Sequence, residues 1–501
     1  MQESRTKNAK RNILFGVLNR ITMILFPFAI RTVILYILGS EYLGLDSLFS
    51  SILNFLSLAE LGVGSALVYS MYKPIAENDP ELICALLNLY RRLYRYIGTF
   101  IFGVGIVLVP LLPRLIKGDC PPDINLYILY LVYLTNTTLT YWMFGYKTSL
   151  LSAHQRSDVE SKITVLLRSG MYLMQIAALF LFHNYYWYIL WLPVFTVVNN
   201  VVIARITDRM YPDYRCSGEI SKEKQTDIKK KVLALFGTKA NSVVLHAMDN
   251  IIISAFLGLT MVGVYSNYYY IMSAIVGIIS IVYNSMTAGI GNSLETETIE
   301  KNYFDFNVLT FANFWLVSFC SVSLLCLYQP FMRIWVHEKN MLDMPVVILL
   351  VIYFYIYQIR RVVLTYKDAA GIWWEDRYRP YISMIVNLAG NYIMVQIIGI
   401  YGVILSTIIS FLVSVPIENY TVFKYIFRRS PRQFYLRNFV YIVLAAALCG
   451  VTYSLCSFIP EGAFGLIARG SVCLIVPNSI IICLFRKTIE FRHARKLLFR
   501  R

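Results

Sequence analysis

Apolar residues occupy the chain in runs of helix length, and most polar residues gather in the short segments between those runs. A helix needs about 20 predominantly apolar residues to cross the apolar core of a bilayer. The runs of helix length lie at 13–38, 42–72, 96–116, 125–146, 164–183, 185–204, 232–257, 261–290, 308–327, 342–364, 380–399, 401–423, 438–459 and 463–485. The pattern predicts an all-α polytopic membrane protein with about 14 transmembrane helices.

Composition supports this prediction. The 501 residues are 57% hydrophobic and 15% charged, whereas soluble domains are about 45–50% apolar and about 25% charged. The first apolar run is too long and too interrupted for a cleavable signal, so we expect it to remain as the first transmembrane helix. Residues 79–95 begin with Asp79-Pro80 and continue amphipathically, which predicts a helix on the inner membrane surface.

The distribution of basic residues predicts the orientation. With the N-terminus inside, 38 of the 46 Lys and Arg residues fall on the inner side. Only Arg114, Lys117, Arg333 and Lys339 fall in outer loops. Under the positive-inside rule, both termini are expected in the cytoplasm. The net charge of +17 is thereby explained by topology and anionic lipids, and we expect no nucleic-acid partner.

The chain also matches itself weakly at a nearly constant offset of 219 or 220 residues. The matched pairs are Gly39 with Gly258, Gly44 with Gly263, Ser47 with Ser266, Tyr146-Lys147 with Tyr366-Lys367, and Tyr172 with Tyr392. Internal duplication is common in transporters. It predicts two pseudo-twofold six-helix lobes, an N-terminal lobe at 1–207 and a C-terminal lobe at 232–427. A cytoplasmic linker at 208–231 joins them, and 428–501 holds two further helices and a cytoplasmic tail.

Three of the cations inside predicted spans, Arg20, Arg31 and Lys239, are candidates for substrate binding. Arg20 and Arg31 are eleven residues apart in the first span, which places them within about 20° on one helix face and roughly 16 Å apart along the axis. The duplication aligns Arg20 with Lys239. A charge at mid-bilayer costs at least about 2.5–3.5 kcal/mol. One hypothesis is a hydrated cavity that binds an anionic substrate; the other is snorkelling or packing.

Three carboxylates within predicted spans are further candidates, namely Asp46, Glu60 and Asp249. Asp46 and Glu60 are fourteen residues apart on the second span, about 40° from a common face of a continuous helix. They are candidates for charge balance or for coupling to H+ or Na+. The alternative is interhelical ion pairing, for example between Arg31 and Asp249. Arg469, near an outer helix end, is expected to snorkel.

Residue sets typical of enzymes are missing from the sequence. There is no Walker loop, no HExxH and no nucleophile elbow, and the external loops are short. The nine Cys show no paired spacing typical of a metal site, so we expect no metal and no organic cofactor. The sequence therefore favours a transporter over an enzyme.

Several stretches resemble Wzx-type polysaccharide flippases, which belong to the multidrug/oligosaccharidyl-lipid/polysaccharide exporter superfamily. They are LGSEYLGL at 38–45, LAELG at 58–62, YKPIA at 72–76, and Tyr146-Lys147 with Ala153-His154-Gln155-Arg156. The resemblance implies that the protein flips an undecaprenyl-pyrophosphate-linked oligosaccharide across the bacterial cytoplasmic membrane by alternating access. It also implies a cationic lumen, and we expect membrane lipids and other polysaccharide assembly proteins as partners.

Three alternative functions remain at this stage. A multidrug exporter of the same superfamily would favour an acidic, aromatic cavity, in contrast to the cations here. A flippase for lipid-linked peptidoglycan precursors fits the same features. A polytopic polysaccharide polymerase or ligase would need a large external loop with catalytic residues, and the sequence predicts none.

Overall fold

The computed structural model describes residues 2–60, 62–118 and 120–498. Side chains are described for these residues except at 2–15, 17, 227, 230, 231, 233–235, 238, 239, 242 and 496–498. The described chain is all-helical. Twelve of its helices are long and apolar enough to cross a membrane, so the protein is a multi-pass membrane protein, and the predicted fold class is confirmed.

The chain divides into two compact units, residues 1–263 and 264–501. The helices that begin in the first unit are α1 (Gln2–Ile37), α2 (Ser40–Leu56), α3 (Val63–Glu77), α4 (Pro80–Leu108), α5 (Leu126–Trp142), α6 (Lys147–Ala153), α7 (Ser157–Phe182), α8 (Tyr185–Ile189), α9 (Trp191–Met210), α10 (Lys222–Leu257) and α11 (Leu259–Thr296). Helix α1 packs against α7, and α2 packs against α5 and α10. The unit boundary falls inside α11.

The remaining helices belong to the second unit. They are α12 (Ile299–Val336), α13 (Met344–Ile359), α14 (Arg361–Ala370), α15 (Arg379–Ile398), α16 (Ile400–Val422), α17 (Arg432–Ser457), α18 (Ala463–Phe485) and α19 (Ile489–Leu498). Helix α12 contacts α13, α17, α18 and α19, and α15 packs along α16. This unit is therefore built around α12.

Each of the fourteen predicted spans falls on one or more helices. The fourth span is the 17-residue α5, and the apolar part of the seventh is Val243–Leu257 within α10. The duplication assigns α10 to the second lobe, whereas α10 contacts α2 and α3 within the first unit. The lobe boundary at 208–231 stays a prediction.

The second predicted span, 42–72, is broken into two helices. Helix α2 ends at Leu56, a short 3-10 helix covers Ser57–Glu60, and α3 begins at Val63. Gly62 has a φ of 91°, a left-handed conformation that glycine adopts without steric cost. The prediction of a continuous helix is wrong, because hydropathy does not register a glycine that turns the chain.

The predicted surface helix at 79–95 is also wrong in its extent. Asp79 accepts a hydrogen bond from the Leu82 backbone N–H at 3.0 Å, and Pro80 occupies the first turn, as expected for an N-cap. The helix then continues without a break to Leu108. The amphipathic segment is therefore the first part of α4, which also forms the third span.

The starts of α2 and α11 form a reciprocal contact. A Cβ on Gly44 would overlap the backbone oxygen of Leu259, and a Cβ on Gly263 would overlap that of Ser40. The 219-residue offset of the sequence duplication aligns Ser40 with Leu259 and Gly44 with Gly263. Each of the two contacts is therefore the counterpart of the other. Thr260 also donates a 3.5 Å hydrogen bond to Glu41, its partner in the same offset. These two segments are thus related by a local two-fold arrangement that requires glycine on both sides.

We predict that Gly44→Ala lowers the thermal unfolding temperature of the purified protein. The added methyl group must displace a backbone carbonyl, and overpacking of this kind costs about 1–3 kcal/mol. Gly103→Ala is the matched control, because a Cβ at Gly103 in α4 meets nothing within 4 Å. Equal unfolding temperatures for the two variants would contradict the close contact.

Candidate functional site

Two of the predicted cations lie on α1. Arg20 and Arg31 are both half-buried, and Pro27 stands inside the helix between them. The Nε atom of Arg20 is buried and has no hydrogen-bond partner within the described part of the chain. An unpaired buried donor is costly. The Nε–H of Arg20 therefore has no acceptor among the described residues, a feature it shares with Nε of Arg469.

Arg31 lies beside a group that we call the Asp46 cluster, which consists of Asp46, Tyr133, Tyr185 and Tyr188. The Tyr133 hydroxyl donates to Asp46 Oδ1 at 2.5 Å, and the Tyr133 and Tyr185 hydroxyls are 2.9 Å apart. The Arg31 guanidinium is close enough to attract the Asp46 carboxylate, and both charges act on Tyr188. The structure thus brings together one predicted cation and one predicted carboxylate.

Glu60 belongs to a separate network that contains Tyr90, Tyr94 and Tyr141. The Tyr94 hydroxyl donates to Glu60 at 2.8 Å, and Tyr90 donates to Tyr94 at 2.9 Å. Tyr141 also lies next to Glu60. Asp46 lies on α2, whereas Glu60 ends the 3-10 helix Ser57–Glu60, so the angle expected for a continuous α-helix does not apply between them. The two carboxylates have different partners.

The remaining predicted residues lie on α10. Asp249 is only 3% exposed and makes polar or charged interactions. Its neighbour Asn250, the duplication partner of Arg31, donates to Ser51 Oγ at 2.9 Å and joins α10 to α2. The side chain of Lys239 lies outside the described residues, so its role stays a prediction.

The motif at 146–156 covers α6 and the turn that leads into α7. Lys147 pairs with Asp208, and Arg156 pairs with Asp158 at 2.9 Å. The His154 ring lies 4.3 Å from the Tyr211 ring, measured between centroids. Burial lowers the pKa of His154 below its usual range, which favours the neutral imidazole. These contacts indicate that the motif holds the ends of α6, α7 and α9 together.

The second unit contains a cluster of buried charges that the sequence analysis missed. We call it the buried ionic cluster; its members are Arg360, Lys367, Asp376, Arg379 and Glu418, none more than 8% exposed in its side chain. Glu418 bonds Arg360 at 2.5 and 3.0 Å and pairs with Arg379 at 2.9 Å. Asp376 bonds both Lys367 and Arg379 at 2.7 Å. The cluster ties the start of α15 to α14 and α16.

Two residues of this cluster could have been found from the sequence. Glu418 lies inside the predicted span 401–423, so it satisfied the criterion that selected Asp46, Glu60 and Asp249. Arg360 likewise lies inside the predicted span 342–364, although the charge count placed it on the inner side. Lys367, Asp376 and Arg379 fall between predicted spans, where charges are common and carry no such signal.

Neither a protein-family model nor a curated protein matches this sequence. Solved structures do match. An inward closed conformation of the lipid II flippase MurJ aligns with a TM-score of 0.69 and 14% identity, over 95% of this chain and 100% of that chain. An inward-facing MATE multidrug transporter of the MOP superfamily aligns with a TM-score of 0.61 and 15% identity, over 80% and 96%. A MATE transporter of Vibrio cholerae gives 0.54 and 12%, over 85% and 100%.

At this level of identity the comparisons establish the fold. The chain has the fold of MOP-superfamily flippases and transporters, and these neighbours are transporters rather than enzymes. The coarser part of the predicted resemblance, membership of this group of folds, is confirmed.

We predict that Glu418→Gln strongly destabilises the protein. The substitution leaves Arg360 and Arg379 buried without their shared carboxylate, and breaking a buried ion pair costs about 3–5 kcal/mol. Asp305→Asn is the control, since Asp305 pairs with Lys301 on the same unit at an exposed site, with 38% and 50% exposed side chains, where such pairs contribute about 0–1 kcal/mol. If both variants unfold at the same temperature, the ionic cluster does not stabilise the unit.

Proposed function

We propose that the protein is a flippase that moves an undecaprenyl-pyrophosphate-linked oligosaccharide from the cytoplasmic to the outer leaflet by alternating access. The observation that carries the proposal is the buried Nε of Arg20 on α1, which has no hydrogen-bond partner among the described residues, in a chain with the fold of a known flippase. The sequence motifs at 38–45, 58–62 and 72–76 support a polysaccharide pathway.

The extent of the structural likeness favours a lipid-linked substrate. The lipid II flippase aligns over 95% of this chain, compared with 80% for the inward-facing MATE transporter. Lipid II is the substrate of that protein, and we transfer only the chemical class, a lipid-linked saccharide.

Charge is the second argument. Arg20, Arg31 and Lys239 are proposed to bind the diphosphate or acidic sugars, because guanidinium and ammonium groups make strong charge-assisted hydrogen bonds to phosphate in a low-dielectric site. The same cations would repel a cationic drug. This favours a flippase over a multidrug exporter of the same fold.

The carboxylates are proposed to couple transport to H+ or Na+. Asp46 is proposed for this role, and its contacts support the proposal: it lies near the Arg31 charge and accepts a hydrogen bond from Tyr133. When Asp46 binds a proton or Na+, its attraction for Arg31 is removed, and Arg31 becomes available to the substrate. Glu60 and Asp249 are proposed to balance charge or to take part in this coupling.

The proposed setting follows from the substrate and from the basic residues. We place the protein in the bacterial cytoplasmic membrane with both termini in the cytoplasm. Membrane lipids and other polysaccharide assembly proteins are its proposed partners. Nucleic acid is not, because the basic residues follow the predicted topology.

We predict that Arg20→Ala and Lys239→Ala each reduce surface polysaccharide at least about tenfold, while lipid-linked repeat units accumulate inside the cell. A lost charge-assisted contact is worth about 1.5–3 kcal/mol, which corresponds to a factor of about ten or more. Arg20→Lys is expected to retain part of the activity, because Lys lacks the bidentate geometry of Arg.

Lys339→Ala, at an exposed residue predicted to lie in an outer loop, is the control and should export normally. Membrane abundance is measured for every variant, because a packing residue changes abundance before it changes export. If Arg20→Ala and Lys239→Ala are present at normal levels and export normally, the cationic mechanism is wrong. If deletion of the gene leaves polysaccharide unchanged and alters drug sensitivity, the protein is a multidrug exporter.

A further inference from the structure

Three buried cysteines converge in the second unit, one from each of three helices. Cys326 lies on α12, Cys456 on α17 and Cys473 on α18, and they are 1–2% exposed. Their sulfur atoms all lie within 4.8 Å of one another, and all three are free thiols. We call this group the cysteine triad. We propose that it is a binding site for a soft monovalent metal ion, with Cu(I) as the ion that fits it.

The geometry suits three-coordinate binding. With metal–sulfur bonds of about 2.3 Å, the sulfurs of a trigonal site are about 4.0 Å apart. The triad already holds its sulfurs within 4.8 Å, so closure needs only small side-chain rotations. Three helices supply the ligands, and the backbone does not need to move.

The donor set selects the ion. Soft thiolates prefer Cu(I), Zn(II) and iron–sulfur clusters. Structural Zn(II) is almost always tetrahedral, with four protein ligands. Within the described residues, the triad is a group of three Cys, and no further His, Cys, Asp or Glu belongs to the group whose ligand atoms all lie within 4.8 Å of one another. Zinc would lack its fourth protein ligand in this group, so a three-coordinate Cu(I) fits better than zinc.

A nearby cation offsets part of the charge of such a site. Binding of Cu(I) to the three thiols releases their three protons, and the resulting site of Cu(I) with three thiolates carries a net charge of minus two, which is costly inside a membrane protein. Arg469 precedes Cys473 by four residues on α18, so the two share a helix face, and its charge acts on Cys456. Arg469 Nη2 donates to the Ile459 carbonyl at 2.7 Å, and Nε is buried without a hydrogen-bond partner in the described chain. The residue expected to snorkel therefore lies beside the triad.

The position of the triad between three helices indicates how a bound metal ion would affect the stability of the second unit. Helices α17 and α18 lie outside the duplication, and α12 is the helix around which the second unit is built. A metal ion at the triad would cross-link α12 to both of these helices. Because the ion binds only the folded arrangement, it adds stability that depends on its concentration.

The test uses the purified full-length protein, reduced and free of oxygen, with Cu(I) supplied from a chelator of known affinity. We expect the wild-type protein to retain one Cu(I) per chain with a three-sulfur shell in X-ray absorption, and to unfold at a higher temperature. The variant Cys326→Ser/Cys456→Ser/Cys473→Ser should lose Cu(I) affinity at least tenfold and lose the thermal shift.

The chain provides a matched control, because each of the three helices carries one further cysteine. Cys320→Ser/Cys449→Ser/Cys483→Ser changes the same helices at the less buried thiols and should bind Cu(I) as the wild type does. If the triad variant fails to fold, the test uses the Cu(I) affinity of the single variant Cys473→Ala, which should be lower than that of the wild type. The number of sulfur ligands in the X-ray absorption of the wild type, which should be three, completes the test. The proposal is overturned if the wild type retains no Cu(I), if both triple variants bind it equally, if Zn(II) is retained in preference, or if two triad thiols are joined as a disulfide.

Discussion

The cost of placing a charge in a bilayer governs this molecule more than any other interaction. Several charges of the described chain lie among polar or charged partners. Asp46 has a Tyr133 hydroxyl and the Arg31 charge, and Glu418 has two guanidinium groups. Arg20 Nε, like Arg469 Nε, is buried without a hydrogen-bond partner within the described residues. Of these two arginines, Arg20 lies in the span whose cations are proposed to bind the substrate.

Close backbone contact is the second constraint. Gly44 and Gly263 allow α2 and α11 to meet at their first turns, where any side chain would overlap a carbonyl. Small residues serve this purpose in membrane proteins because apolar side chains gain little from leaving lipid. The reciprocity of the contact gives a physical reason for the sequence match at an offset of 219 residues: both copies need a glycine at the same place.

Hydropathy and the duplication predicted the helices, since a bilayer demands long apolar runs regardless of how they pack. They did not predict the break at Ser57–Gly62, which depends on the left-handed conformation of Gly62. The sequence identified Arg20, Arg31 and Asp46 as charged residues inside predicted spans. It did not identify the tyrosines that surround Asp46. Those tyrosines come from α5 and α8, and the cysteine triad takes one residue from each of three helices, so spacing along the chain carries no trace of either.

Transport in reconstituted liposomes tests the central claim most directly. Purified protein is placed in vesicles with a fluorescent undecaprenyl-pyrophosphate oligosaccharide, and movement between leaflets is followed by the fraction of label that a membrane-impermeant quencher can reach. Lipid II and a cationic dye are measured in parallel. The account predicts movement of the lipid-linked oligosaccharide that requires the protein, with little or no movement of the dye. Movement of the dye alone, or no difference from protein-free vesicles, would contradict it.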